Sequence, residues 1–328
     1  MNNLLLDVRN LKTNFYTTFG VLKAVQDVSF SVFNRNIIGI VGESGCGKSV
    51  TARSILNIVQ PPGKIEAGEV IYYGRGEPVD LLKLPPRSKK IRQYRGKEIA
   101  MIFQEPMTCL SPVHTVGNQM VEAIKLYHPT ISKTQAREYA ISLLMDVGLN
   151  SPEKQIDSYV FELSGGMRQR ALIAIALSGE PKIIIADEPT TAIDVTIQAR
   201  ILNILYEIKE KKGLSIIIIT HNMGVVAQLT DDTAVMYMGI IVERGSTKEI
   251  FHNPQHPYTK KLLDSIPGRI DSHKSPLKTI EGEMPDPYKL MDECPFRNRC
   301  EHKNLCDEGC IPELKEVNKG HFVRCFLC

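Results

Sequence analysis

What this sequence has little of already narrows its function. It lacks a charge excess, since 40 Lys and Arg against 37 Asp and Glu leave a formal net charge of +3 over 328 residues. A balance this close gives no argument for a surface coated for nucleic acid, and the basic run from Pro85 to Lys97 reads as a solvated helix or loop face. Long apolar runs are also missing. Stretches such as IIIIT, residues 216–220, are strand-length, against the ~20 residues that a membrane span requires. The opening MNNLLLDVRN has no basic region leading into an apolar core, so a secretion signal is not expected and a reducing cytosolic setting is. Cysteine, finally, is scarce through most of the chain: two of eight precede residue 294, and six fall between Cys294 and Cys328. In a reducing compartment such a cluster points to metal ligands or redox groups rather than disulfides.

What is present in the body of the chain is phosphate chemistry. RNIIGIVGESGCGKSVTARSILNIV, residues 35–59, runs from an unbroken apolar strand through a glycine-rich turn into a helical pattern. Gly42, Gly45 and Gly47 let successive backbone amides turn inward, Lys48 supplies charge for β and γ phosphates, and Ser49 is a Mg²⁺ ligand type. A second buried strand, PKIIIADEPTTAID, residues 181–194, ends in Asp187 and Glu188. One acid can hold Mg²⁺ while the next activates water, a division that suits phosphoryl hydrolysis; a helix start beside Pro189 is the alternative. Between them, Ser164 with Gly165 and Gly166 opens an apolar helix over 171–177, which reads either as a second anion site or as an ordinary capped helix. One nucleotide does not need two cradles from one chain.

The set GESGCGKS (42–49), FQEP (103–106), LSGGMRQR (163–170), IIIADEPTTAID (183–194) and THN (220–222) resembles the nucleotide-binding subunit of an ABC transporter. The resemblance covers most of residues 1–250 and implies an α/β fold: a RecA-like P-loop core with an antiparallel β subdomain and a helical subdomain at about 107–165 that grips a permease. It also resolves the two cradles, because two such subunits sandwich two ATP molecules. Carried over, the amides from Gly42 to Val50, with Ser44 and Cys46 among them, would hold the phosphates together with Lys48, and Ser49, Gln104 and Asp187 would lie near Mg²⁺. Glu188 would be the general base, His221 would meet the γ-phosphate, and Asp194 would lie in the loop that crosses the dimer interface. Phe15, or else Tyr16, looks like the aromatic that stacks on adenine. Departures are small: Cys109 where Ser or Ala is frequent, Ile193 where Leu is usual, and Asn222 where Asp is common.

Composition shifts at Asn253, where NPQHP and then SIPGRIDSHKSPLK read as a linker or extended segment. The expected domains are therefore 1–253, the nucleotide-binding domain, and 254–328, a small cysteine-rich extension. Its spacing, C-x5-C-x5-C-x3-C-x14-C-x2-C, suits zinc or iron-sulfur. NPQHPYTKKLLDSIP and CPFRNRC resemble the ATPase subunits of dipeptide and oligopeptide importers, a group that also takes nickel, glutathione and some oligosaccharides. That resemblance implies a [4Fe-4S] cluster on Cys294, Cys300, Cys306 and Cys325, with Zn²⁺ as the alternative and Cys310 and Cys328 outside the pattern. It further implies two permease subunits, a second ATPase subunit that is a different chain, an extracytoplasmic binding protein, and a place on the cytoplasmic face of the membrane. A soluble ABC ATPase acting on ribosomes or DNA, and an iron-sulfur sensor with a regulatory ATPase, are the competing classes.

Overall fold

The computed structural model describes residues 3–104, 109–190, 194–266, 280–288, 293–306 and 309–328. Glu105, Pro106, Ile193 and most of the SIPGRIDSHKSPLK stretch lie outside them. The chain forms two compact units.

The first unit comprises residues 84–218 with 33–35 and the N-terminal residues 1–3. Strand Ile99–Ile102 runs parallel to Ile183–Asp187. IIIAD is buried at every position, as expected of a strand covered on both faces. Helices Val116–Tyr127, Lys133–Asp146 and Pro152–Gln155 occupy the stretch expected to be a helical subdomain. Their starts are chemically specified: Thr115 accepts from the Asn118 amide, and Ser132 forms a reciprocal capping box with Gln135. Helix Gly165–Leu177 packs against Lys133–Asp146 and the Ile99–Ile102 strand, and helix Val195–Lys212 ends at Gly213 with φ of 66°, a left-handed stop that glycine takes without strain.

The second unit holds residues 4–32, 36–83 and 219–328. An antiparallel sheet orders Gly20–Phe33, Leu4–Thr17, Gly63–Tyr72 and Val79–Asp80. A second sheet runs Lys315–Asn318, His321–Val323, Ile240–Ser246, Asp232–Tyr237, Ile37–Val41, with the last two strands parallel and the others antiparallel.

The expected separate cysteine-rich domain does not pack as one. Its strands extend the sheet that carries Ile37–Val41, and Phe296 sits 1% exposed in one core with Tyr237, Tyr258, Ile240 and Leu263. Phe296 lies edge-on to Tyr237, ring centroids 5.3 Å apart, and 5.4 Å from Tyr258. A tail poor in apolar residues gains a core by inserting into a larger one, where burying a single Phe contributes about 2–3 kcal/mol. Nor is NPQHP a linker. The buried carboxylate of Glu243 accepts from the amides of Gln255 and His256 at 2.7 and 2.9 Å and from His321 Nε2 at 2.8 Å, pinning the turn that leads into helix Pro257–Asp264.

Candidate active site

The phosphate loop belongs to the second unit. Strand Ile37–Val41 is wholly buried and delivers the chain into Gly42–Gly47, after which helix Lys48–Ile55 begins. A Cβ on Gly42 would collide with the Met236 carbonyl oxygen, and one on Gly47, whose φ is 100°, with that of Ala24. Glycine is thus required twice by close backbone approach. Gly45, with φ of 80°, faces open space, and Ser44 beside it is exposed, so this is the accessible side of the cradle. Gly47 provides no side-chain cap, which leaves the first amides of the helix available to an anion. Lys48, 4% exposed, donates to the carbonyls of Gly42 and Glu43, both at 2.8 Å. Cys46 is buried under the loop, its thiol pushed up by that burial, while Ser49 and Val50 are half-buried on the first helical turn. His221 is exposed at the end of strand Ser215–Thr220, and Asn222 next to it caps helix Met223–Leu229 through the Gly224 amide. Asparagine in place of aspartate therefore keeps the cap.

The acids lie in the first unit. Asp187, 1% exposed, ends its strand, and Glu188 follows with φ of 45°. Left-handed backbone at a glutamate costs on the order of 1–3 kcal/mol, strain of the kind that concentrates at working sites. Gln104 Nε2 donates to Glu188 Oε2 at 3.1 Å, so two residues assigned separately from the sequence meet. Ser164 caps helix Gly165–Leu177 through the Met167 amide, and Asp194 caps Val195–Lys212 through the Ile197 amide at 2.9 Å. A Cβ on Gly166 would lie 2.6 Å from Ile197 Cγ2, whereas one on Gly165 meets nothing. The two caps are thus joined through Gly166 and Ile197, with open space beside the Gly165 α-carbon.

The aromatics divide by commitment. Phe15 is half-buried, its ring against Gly63, and the Tyr16 hydroxyl donates to Glu66 at 2.8 Å. Phe19, passed over in the sequence, is 86% exposed at the end of the Leu4–Thr17 and Gly20–Phe33 hairpin.

In the tail, Cys300 and Cys325 are buried, Cys294 and Cys306 half-buried, and Cys310 and Cys328 exposed, none of them in a disulfide. Burial first, and then the fields of Cys306, Cys325 and Cys300, push the Cys294 thiol up to about 11. Among the described residues no group of three or more His, Cys, Asp or Glu is arranged to hold a metal ion, so this geometry supports neither the expected iron-sulfur cluster nor zinc.

The pattern of the ABC transporter family matches residues 25–191, and that of the oligopeptide/dipeptide transporter C-terminal region matches 242–306. This chain belongs to the ABC transporter ATPase family. A probable peptide ABC transporter ATP-binding protein of Sinorhizobium fredii is 46% identical over 99% of this chain and 95% of its own length. A dipeptide transport ATP-binding protein of Bacillus subtilis is 45% identical over 98% and 94%, and an oligopeptide transport ATP-binding protein of the same organism is 43% identical over 98% and 88%. Among solved structures, the dimeric structure of a bacterial ABC transporter cassette aligns with a TM-score of 0.64 at 25% identity, covering 74% of this chain and 98% of that one. This ABC ATPase is an enzyme that hydrolyses ATP, and among its described residues no helix is long and apolar enough to cross a membrane.

Proposed function

We propose that this ABC ATPase energises the import of dipeptides or oligopeptides, the transport that its relatives are named for. The observation that carries the reading is full-length similarity that includes the tail: the oligopeptide/dipeptide transporter region covers 242–306, the stretch that packs around Phe296. It works with permease subunits and an extracytoplasmic binding protein, on the cytoplasmic side of the membrane. A related cassette, 25% identical to this chain, forms a dimer, which supports a sandwich in which Ser164, Gly165 and Gly166 of one subunit close on the phosphates of its neighbour.

In this reading the loop amides and Lys48 bind the β and γ phosphates, and Phe15, Tyr16 or Phe19 stacks on adenine. As the family resemblance implies, Ser49, Gln104 and Asp187 would be the residues that hold Mg²⁺, which would supply charge neutralisation for the transferring phosphoryl group. Glu188 takes the proton of the attacking water, Gln104 holds that carboxylate in place, and His221 donates to the γ-phosphate. The decisive experiment is uptake by the assembled importer in proteoliposomes. Accumulation of labelled dipeptide that depends on ATP supports the proposal; transport of nickel, glutathione or an oligosaccharide instead would reassign the cargo, and ATP hydrolysis with no transport would favour a soluble ATPase.

Cys294, Cys300, Cys306 and Cys325 would hold a [4Fe-4S] cluster. Support comes from the sequence resemblance that singles out these four cysteines and from their burial, Cys300 and Cys325 being buried and Cys294 and Cys306 half-buried. Anaerobic purification with iron, sulfide and zinc analysis tests it.

A further inference from the structure

The tail reaches the phosphate loop through Arg299. This guanidinium, 4% exposed, donates from Nη1 to Glu43 Oε2 at 2.8 Å and from Nη2 to Glu43 Oε1 at 3.2 Å, a fork-to-fork pair. Its remaining donors meet the carbonyls of Glu281 and Ile280, both at 3.1 Å, and the Tyr237 hydroxyl at 3.4 Å. Glu43 is held at its other end as well, because its amide donates to the Tyr258 hydroxyl at 3.0 Å. Its carbonyl, in turn, accepts from Lys48 Nζ. The residue following Gly42 in the cradle is thus clamped at side chain, amide and carbonyl.

Such a pair is poorly explained by stability. Desolvating Arg299 and Glu43 offsets most of their attraction, and an apolar pair of similar shape would hold the tail at least as well. What an apolar pair lacks is direction, namely a fixed path for the loop backbone.

We infer that Arg299 is a positioning residue for nucleotide binding, which through Glu43 preorders the phosphate loop and makes MgATP affinity depend on the cysteine-flanked turn. A loop whose amides already point at the phosphates pays less ordering cost when the ligand arrives. The turn Arg297–Arg299 is itself framed by thiol residues: the Arg297 amide donates to the Cys294 carbonyl and the Cys300 amide to the Arg297 carbonyl. Ligation of those thiols, where it rests on the cluster reading above, bears on the same clamp; the clamp itself consists of protein atoms alone.

The test is fluorescence titration of the full-length chain, purified anaerobically, with the Mg²⁺ complex of an N-methylanthraniloyl ATP. Arg299→Met and Glu43→Gln should each raise Kd by about tenfold. The double variant should be no worse than either single, since both remove one interaction. Arg299→Lys, which keeps the charge and loses the fork, should recover part of the affinity. Singles that stay folded by circular dichroism and bind with wild-type Kd would overturn the inference, as would additive losses in the double. If Arg299→Met does not fold, Glu43→Gln alone decides, because Glu43 lies on the exposed side of the pair and the substitution conserves shape. Wild-type chain that binds no nucleotide would instead sink the ATPase reading, so the two failures are distinguishable.

Discussion

Gln104 donates to the carboxylate of Glu188 at 3.1 Å, and Glu188 is held there on a left-handed backbone immediately after the buried strand that ends in Asp187. The bond orients the carboxylate, and the strained turn lifts it clear of the strand. A base so placed contributes mainly in the transition state. Glu188→Gln should therefore bind ATP with nearly unchanged affinity while hydrolysis falls by about 10²–10⁴-fold, measured as phosphate release by the assembled importer. Hydrolysis at the wild-type rate would remove Glu188 from the role of base.

Gly47 and Gly45 both have positive φ, yet substitution at them should differ. An alanine at Gly47 carries the left-handed penalty and also collides with the Ala24 carbonyl, a backbone atom that cannot swing away. At Gly45 the added methyl meets open space, so the backbone penalty of roughly 1–2 kcal/mol stands alone. Gly47→Ala should lower the thermal midpoint further than Gly45→Ala and abolish nucleotide binding. Equal effects on both readouts would show that strain, and not the approach of Ala24, is what demands glycine.

The phosphate loop, the paired acids and the capped helix at Ser164 were legible because their chemistry dictates residue type at fixed local spacing. The meeting of Gln104 with Glu188 was legible only as two separate roles. Arg299 and Glu43 were not legible at all: they are 256 positions apart, and a buried arginine declares no partner in the sequence. A faint signal existed, since arginine precedes cysteine at both Arg299 and Arg324, and both guanidiniums are buried, Arg324 donating to Asp27 at 2.9 Å. The tail was set apart on composition, which registers few apolar residues but not that one of them, Phe296, docks among Tyr237 and Tyr258. NPQHP looked like a linker because its fastening is a single carboxylate, Glu243, from a strand before it.

The cysteines should separate by facing. With the proposed cluster in place, Cys294→Ser and Cys306→Ser should lose most of the iron and sulfide, since each removes one of its four proposed ligands. Cys310→Ser, at an exposed position outside that group, should retain the wild-type content. Iron and acid-labile sulfide per chain, with the visible absorption spectrum, read the difference. Loss of iron in the Cys310 variant with retention in the Cys294 variant would reassign the ligand set.

His256 predicts a pH dependence of stability. Burial, and then the field of Lys260, hold its imidazole down at about 3, and the geometry agrees, because Nδ1 accepts from the Tyr258 amide and cannot do so once protonated. Its surroundings offer little compensation: the nearby Glu243 carboxylate is engaged by the Gln255 and His256 amides and by His321 Nε2. In the unfolded chain the same ring takes up a proton near pH 6.5. The folded-state value is the lower one, so the contribution is fully present above pH 6.5 and is lost as the pH falls toward 3. Between pH 7 and pH 5 the loss amounts to about 2 kcal/mol. His256→Asn keeps an acceptor for the Tyr258 amide and removes the titration, so urea unfolding at the two pH values should show a shallower loss in the variant by that amount. Equal losses in the two proteins would mean that other groups carry the acid sensitivity, with the Glu243 and His321 pair as the next to test.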